Sequence, residues 1–345
     1  MRILIKSTGL VIAIVALLVS CSKSNTDTQP SAPPTVYVAG YENNGTNDIA
    51  KYWKNSVAVN LTTGANNAGA NSIFVVGNDV YVAGWEMQGT KTVAKYWKNA
   101  VAIILTNGTY NAEATQVIVV NNDVYVSGYE GGVSSSKQAK YWKNGTVVNL
   151  AAVSTEISSA NAIAVSGTDV YVAVNKYSPA PSALIMKNGT ATDLSGGSFT
   201  STANTVAISG TDIYVAGRQT FTTSTYWKNG VVSNLTSSVV GTETEAFSIF
   251  ISNNNIYISG YEKTPAGSGN IEVAKYWKNG VATNLTNATH HASADAIQLF
   301  DTDIYVAGYE ENASGNGIAK YWKNGIEVNL TNGSKDAGAS SIVIK

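Results

Sequence analysis

The sequence predicts an all-β fold, a seven-bladed β-propeller of four-stranded antiparallel blades closed by the C-terminal strand pairing with the N-terminal blade. Three observations carry this. A stretch such as Val80–Leu105, V-Y-V-A-G-W-E, then a loop, then K-Y-W-K-N and V-A-I-I-L, recurs seven times. Its first tyrosine falls at Tyr37, Tyr81, Tyr125, Tyr171, Tyr214, Tyr257 and Tyr305, at spacings of 43 to 48 residues, a period that marks a repeat architecture. Each unit holds four short β-branched and aromatic runs bounded by Gly, Asn and Asp, with no helical periodicity. The repeats also begin with a second strand at Thr35-Val36-Tyr37-Val38 and finish with a first strand at Ser340–Ile344. One blade therefore draws its innermost strand from the C-terminus, which removes the open edge of a linear array. A stacked solenoid would need polar caps at both ends, and neither end has one.

Residues 1–20 read as a signal peptide, with Arg2 and Lys6 ahead of the apolar run Leu10–Val19. The segment ends Leu18-Val19-Ser20-Cys21, which resembles the lipobox of bacterial lipoproteins. That resemblance implies cleavage before Cys21 and acylation of Cys21 with palmitate-type chains, each buried CH₂ being worth about 0.8 kcal/mol in the bilayer. The partner so implied is the membrane, reached through a lipid anchor in the cell envelope. Ser22 after the cysteine favours the outer membrane over the inner. Residues 21–34 are polar and proline-rich, a flexible tether, and 35–345 is the propeller. Cys21 is the only cysteine, so no intramolecular disulfide is available. A formal net charge of -1 and the lack of a basic patch argue against nucleic acid as a partner.

Within the second unit the four strands, named A to D, are expected at Ser72–Val76, Val80–Glu86, Ala94–Lys98 and Val101–Leu105. Asn-Gly between C and D, as at Asn144-Gly145 and Asn279-Gly280, is a two-residue hairpin signal. The copies, compared with one another, show a correlated loss. Glu42, Glu86, Glu130, Glu262 and Glu310 follow strand B where Lys51, Lys95, Lys140, Lys275 and Lys320 precede Tyr-Trp; the fourth and fifth units lack both. Placing each Glu directly opposite its Lys puts Gly84 opposite Trp97, and likewise in the other blades, an indole over a cross-strand glycine. Gly84, Trp97, Glu86 and Lys95 are then structural, with Trp97 packing between blades and the bridge worth about 0–1 kcal/mol if exposed.

Because strand direction alternates, A–B and C–D turns share one face, and B–C and D–A loops share the other. The second face carries the length variation, and function concentrates where loops vary over a fixed scaffold. An alanine precedes each strand A, as at Ala70 and Ala114. Four residues earlier, in the D–A loop, stand Asn66, Tyr110, Glu156, Phe199, Thr242, His290 and Lys335, different in every blade. These form the candidate binding face at the channel mouth. The residues after the alanine, Asn71, Thr115, Asn161, Asn204, Phe247, Asp295 and Ser340, are expected to line the channel.

Signals for chemistry are thin. His290-His291 with Asp295 is a weak metal pattern, and no cofactor is implied. Asn121-Asn122-Asp123 and Asp301-Thr302-Asp303 look like calcium-loop fragments but occupy turns where Asx residues belong. A carboxylate pair drawn from Glu156, Glu243 and Asp295 could serve hydrolysis, although Glu243 and Glu245 are expected to face solvent. The pattern A-x-x-W-x-N-G-x-x-x-x-L, then A-x-x-I and V-x-G, resembles HAF-type repeats of bacterial extracellular proteins over 35–345. It lacks the Gly-His and Trp-Asp marks of WD40 units and the double glycine of kelch. The resemblance implies a propeller-like extracellular module and no activity. The sequence reading is thus a monomeric, non-catalytic envelope module recognising a protein or glycan through its B–C/D–A face. The alternatives are a hydrolase with carboxylates at the channel mouth, or a scaffold subunit of a lipoprotein complex.

Overall fold

Alternation of apolar and polar residues lets each repeat bury both faces of its inner strands between neighbouring blades, and four strands form per repeat. A computed structural model describes residues 33–131, 137–150, 156–178, 181–197, 201–220, 222–237 and 242–345. Cys21, the signal segment, most of the tether and Phe199 lie outside them. Pro34–Lys345 form one compact unit of seven four-stranded antiparallel sheets. In blade 2 the strands are A Ala68–Val76, B Asp79–Gln88, C Lys91–Lys98 and D Val101–Ile104. In blade 1, strand B (Val36–Asn43) lies between C (Asp48–Lys54) and an A strand supplied by Ala337–Ile344. Thr35 and Lys345 exchange backbone hydrogen bonds of 2.6 and 3.0 Å at the seam. The expected closure is therefore the one observed.

Seven apolar clusters lie one between each pair of adjacent blades among the described residues. Each strand-C tryptophan fills the interface with the preceding blade. Trp97, 1% exposed, packs on Tyr37, Ala39 and Ala50 of blade 1, and Met186 does the same work between blades 3 and 4. Just past strand D, Leu61, Leu150 and Leu285 turn back so that their N–H groups donate to strand C, to Ala50, Ala139 and Ala274. Past the end of strand D the chain reads Leu-Thr, and the Thr62, Thr106, Thr286 and Thr331 hydroxyls accept from strand-C N–H groups. The recurring threonine thus satisfies a strand-C backbone donor.

Two expectations are corrected. Strand A begins at Ala68 rather than Ser72, so the alanines lie within it. The B–C register is also shifted by two. Gly84 faces Lys95, Trp97 faces Val82, and Glu86 faces Val93. The Glu–Lys bridge forms diagonally, at 2.5 Å for Glu86–Lys95 and Glu42–Lys51, because long side chains reach across the offset. Glycine is required for another reason. Strand A bulges between Ala70 and Ser72, which pushes the Gly69 carbonyl inward; a Cβ on Gly84 would stand 2.0 Å from it. The lysines are buried rather than exposed: Lys95 6%, Lys275 1% and Lys320 3%. Three of them lie over their own tryptophan, with Nζ 5.8–5.9 Å from the ring centre in Lys51, Lys275 and Lys320.

The A–B turn aspartates serve a second, unanticipated lattice. Asp79 takes Lys98 at 2.8 Å and the Asn99 amide at 2.8 Å, while the Asn99 side-chain oxygen accepts from Val80 N–H. Asp123, Asp169, Asp212 and Asp303 repeat the arrangement. The calcium-like Asp123 and Asp303 are thereby committed to lysine.

Candidate functional site

The bulge in strand A turns one residue per blade towards the axis. Asn71, Thr115, Asn161, Asn204, Phe247, Asp295 and Ser340 together line a constriction of about 120 Å³, the ring expected from sequence. Four of them stitch neighbouring blades. The Asn71, Asn161 and Asn204 amides and the Thr115 hydroxyl donate to the carbonyls of Ala114, Ala203, Ala246 and Ala160 at 2.8–2.9 Å. On the A–B side the channel widens to a cavity of about 340 Å³ walled by Phe74, Ile118, Phe250 and Val343. There Ser72, Gln116, Ser248, Gln298 and Ser341 accept from N–H groups of the next blade's strand A. These bonds cover the inner edges that a propeller otherwise leaves unpaired.

The stitching pattern breaks at Phe247 and Asp295. The Phe247 side chain has no donor, and its ring packs at a tilt against Tyr261, with centres 5.7 Å apart. Asp295, between Phe247 and Ser340 in the ring, stands where blades 2, 4 and 5 carry an asparagine, and accepts from the Ser293 hydroxyl. Burial, with the nearby Glu272 charge, pushes its carboxyl up to about 7. A folded-state value raised above the unfolded one contributes stability that is present below about pH 4 and is lost as pH rises through about 7. Asp295→Asn is expected to flatten that dependence and to stabilise the domain by about 2 kcal/mol at pH 8, with its amide repeating the Asn204 bond. Urea midpoints at pH 5 and pH 8 measure this; an equal change at both pH values would refute the assignment.

Around the constriction, on the B–C/D–A side, runs a crown that the sequence reading passed over. Tyr41, Trp85, Tyr129, Tyr261 and Tyr309 occupy one strand-B position, paired with strand-A Gly338, Gly69, Glu113, Glu245 and Ser293. The glycines exist to admit the rings: a Cβ on Gly69 would stand 2.8 Å from the Trp85 indole nitrogen. Carboxylates hold the phenols. Tyr41 donates to Asp336 at 3.0 Å and Tyr261 to Glu243 at 3.1 Å, and the Glu113 carboxylate lies near Tyr129. Burial first, then these charges, raises the pKa of Tyr41, Tyr129, Tyr261 and Tyr309. The signal was present in the repeated G-Y-E, where the aromatic stands beside the glutamate.

In blade 5 the crown position is Arg218, which pairs with Glu245 at 2.8 Å. Glu245 is 6% exposed and also accepts from Thr202 and Asn204; burial raises its pKa against the pull of Arg218. This corrects the expectation of a solvent-facing side chain. Glu243 is tied to Lys263 at 2.7 Å, which lowers its pKa. The acid that Asp295 feels is Glu272, not Glu156 or Glu243, so the anticipated carboxylate trio is not assembled.

The candidate face residues are dispersed. Asn66 and Lys335 are exposed, while Tyr110, Glu156 and His290 are half-buried. Thr242 is buried, its hydroxyl donating to Glu262 at 3.1 Å. His291, rather than His290, makes a defined contact, its Nδ1 accepting from Glu272 N–H at 3.3 Å. Among the described residues no group of three or more His, Cys, Asp or Glu could hold a metal ion.

No family model matches the chain, and no curated protein matches it. Solved structures do resemble it in fold. One is the Pyrococcus horikoshii acylaminoacyl peptidase, with TM-score 0.52 and 13% identity over 87% of this chain and 51% of that one. Another is the β-propeller domain of the Trilobed protease from Pyrococcus furiosus, with TM-score 0.51 and 12% identity over 83% and 88%. This chain spans about half the length of the acylaminoacyl peptidase. The Trilobed protease domain is described as having an open velcro topology, whereas here the last strand closes the ring. At such identities the likeness concerns fold alone: the chain is similar to β-propeller domains of peptidases.

Proposed function

We propose that the protein is a cell-envelope lipoprotein, anchored through Cys21 to the outer membrane, whose propeller is a binding module for a protein or glycan on its B–C/D–A face. The observation that carries the recognition surface is the crown. Five amphipathic rings, three of them beside a carboxylate partner, surround a polar channel mouth, on the face where loop length varies. Such rings offer an apolar surface with little side-chain entropy to lose, and adjacent carboxylates accept hydroxyl or amide hydrogens. Cys21, within Leu18-Val19-Ser20-Cys21, supports the anchor.

Immobilised propeller is the test, challenged with envelope extracts and a glycan array. Retention of a protein or glycan is expected, with Trp85→Ala and Tyr309→Ala each weakening it about tenfold or more. Lys98→Ala, on the opposite face, should leave it unchanged. Binding lost only through the opposite face would overturn the assignment.

A second reading, a hydrolase acting at the channel mouth, is favoured by Asp295, whose value near 7 suits a general acid. Hydrolysis abolished by Asp295→Asn would carry it; a detected activity that survives the substitution would remove it.

A further inference from the structure

The two faces of the disc differ in apolar character as well as in loop length. At the first residue of strand D, just past the C–D turn, Val57, Val101, Val231, Val281 and Ile326 are 66–72% exposed. Val76, at an A–B turn of the same face, is 43% exposed. On the B–C/D–A side, the large apolar side chains most exposed among the described residues are Tyr177 and Ile104. The five strand-D positions are related by the blade repeat and lie on one ring at one level of the disc. Isolated exposed aliphatics need no explanation, but a one-sided ring marks an interaction surface.

The same face carries cations. A lysine ends strand C in all seven blades. Asp79, Asp123, Asp169, Asp212, Asp301 and Asp303 give six aspartates. In blades 1 and 6, where Lys54 and Lys278 end strand C, the turn position that is aspartate in the other blades is Thr35 and Asn255. The ammonium groups of these two lysines rest over Tyr37 and Tyr257 at 5.4 and 5.5 Å. The stems lie along apolar surface with the heads at the rim, the disposition that suits lysine at a lipid boundary. Finally, Thr35 joins the propeller at this end, paired with Lys345, so the preceding chain enters on the aliphatic face.

We propose that the A–B/C–D face is a membrane-docking surface. The ring of Val57, Val101, Val231, Val281 and Ile326 enters the headgroup–acyl boundary, and Lys54 and Lys278, which no turn aspartate takes, meet anionic headgroups. The bilayer is the occupant because cations, aliphatics and the entry of the N-terminal segment coincide on one flat face. The inference takes its biological setting from the proposed anchor, but its physical test does not require one. With this face on the bilayer, the aromatic crown points away from it.

The test uses soluble chain 33–345, which closes through its own first and last strands and contains no cysteine. Binding to phosphatidylethanolamine–phosphatidylglycerol vesicles is read by sedimentation and by an environment-sensitive dye on V101C or, on the opposite face, T90C. Vesicle binding is expected, with a blue shift from V101C and none from T90C. The combined V57S, V101S, V231S, V281S and I326S variant should bind about tenfold more weakly. Absent binding, a response from T90C, or unchanged binding of the serine variant would each overturn the proposal. So would self-association that the serine variant abolishes, since a second copy would then cover the ring. Mass spectrometry of Cys21 in the full chain separates the two readings: an unacylated Cys21 overturns the anchor while leaving the vesicle result standing.

Discussion

Replacing Lys275 with methionine is expected to destabilise the propeller by about 3–5 kcal/mol, the range for breaking a buried ion pair from one side. Lys275 is 1% exposed and Glu262 3%. The carboxylate also accepts from Ser237 and Thr242, so it cannot turn out to water when its cation is removed. Blade 1 is the control. Glu42 there keeps 29% of its side chain exposed, so Lys51→Met leaves a carboxylate that rehydrates, and about 1–2 kcal/mol is expected. Replacing Lys275 and Glu262 together with methionine should recover most of the loss, because the pair repays little beyond its own desolvation. Denaturant midpoints of the three variants measure this. Equal losses for Lys51→Met and Lys275→Met would show that burial does not set the cost.

The second large effect is expected from Gly84→Val, at about 3 kcal/mol or more. Its Cβ would meet the Gly69 carbonyl at 2.0 Å, and backbone cannot swing aside as a side chain can. The same clash, at 1.9–2.1 Å, faces Gly40, Gly128, Gly217, Gly260 and Gly308. Blade 4 carries Val174 at this position, and there strand A has an additional irregularity between Ile157 and Ser158. Val174→Gly should therefore cost no more than the burial of one valine, about 1.5–3 kcal/mol. A Gly84→Val variant as stable as the parent in thermal unfolding would show that the bulge relaxes freely.

Comparison of the seven copies made the blade count, the closure, the buried tryptophans and the Glu–Lys partnership legible in the sequence. The register was not. Joint loss of Glu and Lys is equally a property of a diagonal pair, and glycine accompanied tryptophan although each answers to a different neighbour. A bulge leaves almost no trace in residue type, and Ala68-Gly69-Ala70 has little strand propensity of its own; pairing with strand B imposes it. Burial of Glu245 and Lys275 was hidden for a related reason. It depends on Arg218 and Thr202 reaching from the preceding blade, and on Ser237 and Thr242 in a D–A loop, contacts between segments that no local pattern announces. The crown, by contrast, is legible in the repeated G-Y-E, where an aromatic stands between the glycine and the glutamate.

The seam of blade 1 has a mechanical consequence. Under the proposed anchoring, drag on the domain is transmitted through the chain entering at Thr35. A pull there does not reach a free edge. Strand B of blade 1 is hydrogen-bonded on one side to strand C and on the other to the C-terminal strand A, so the force divides between two ladders. Detachment would require both to slip together, and Trp53 and the apolar residues packed between blades 7 and 1 would have to slide with them. A propeller tethered by an interior strand behaves as a rivet, and its seam is where the chain takes the tension.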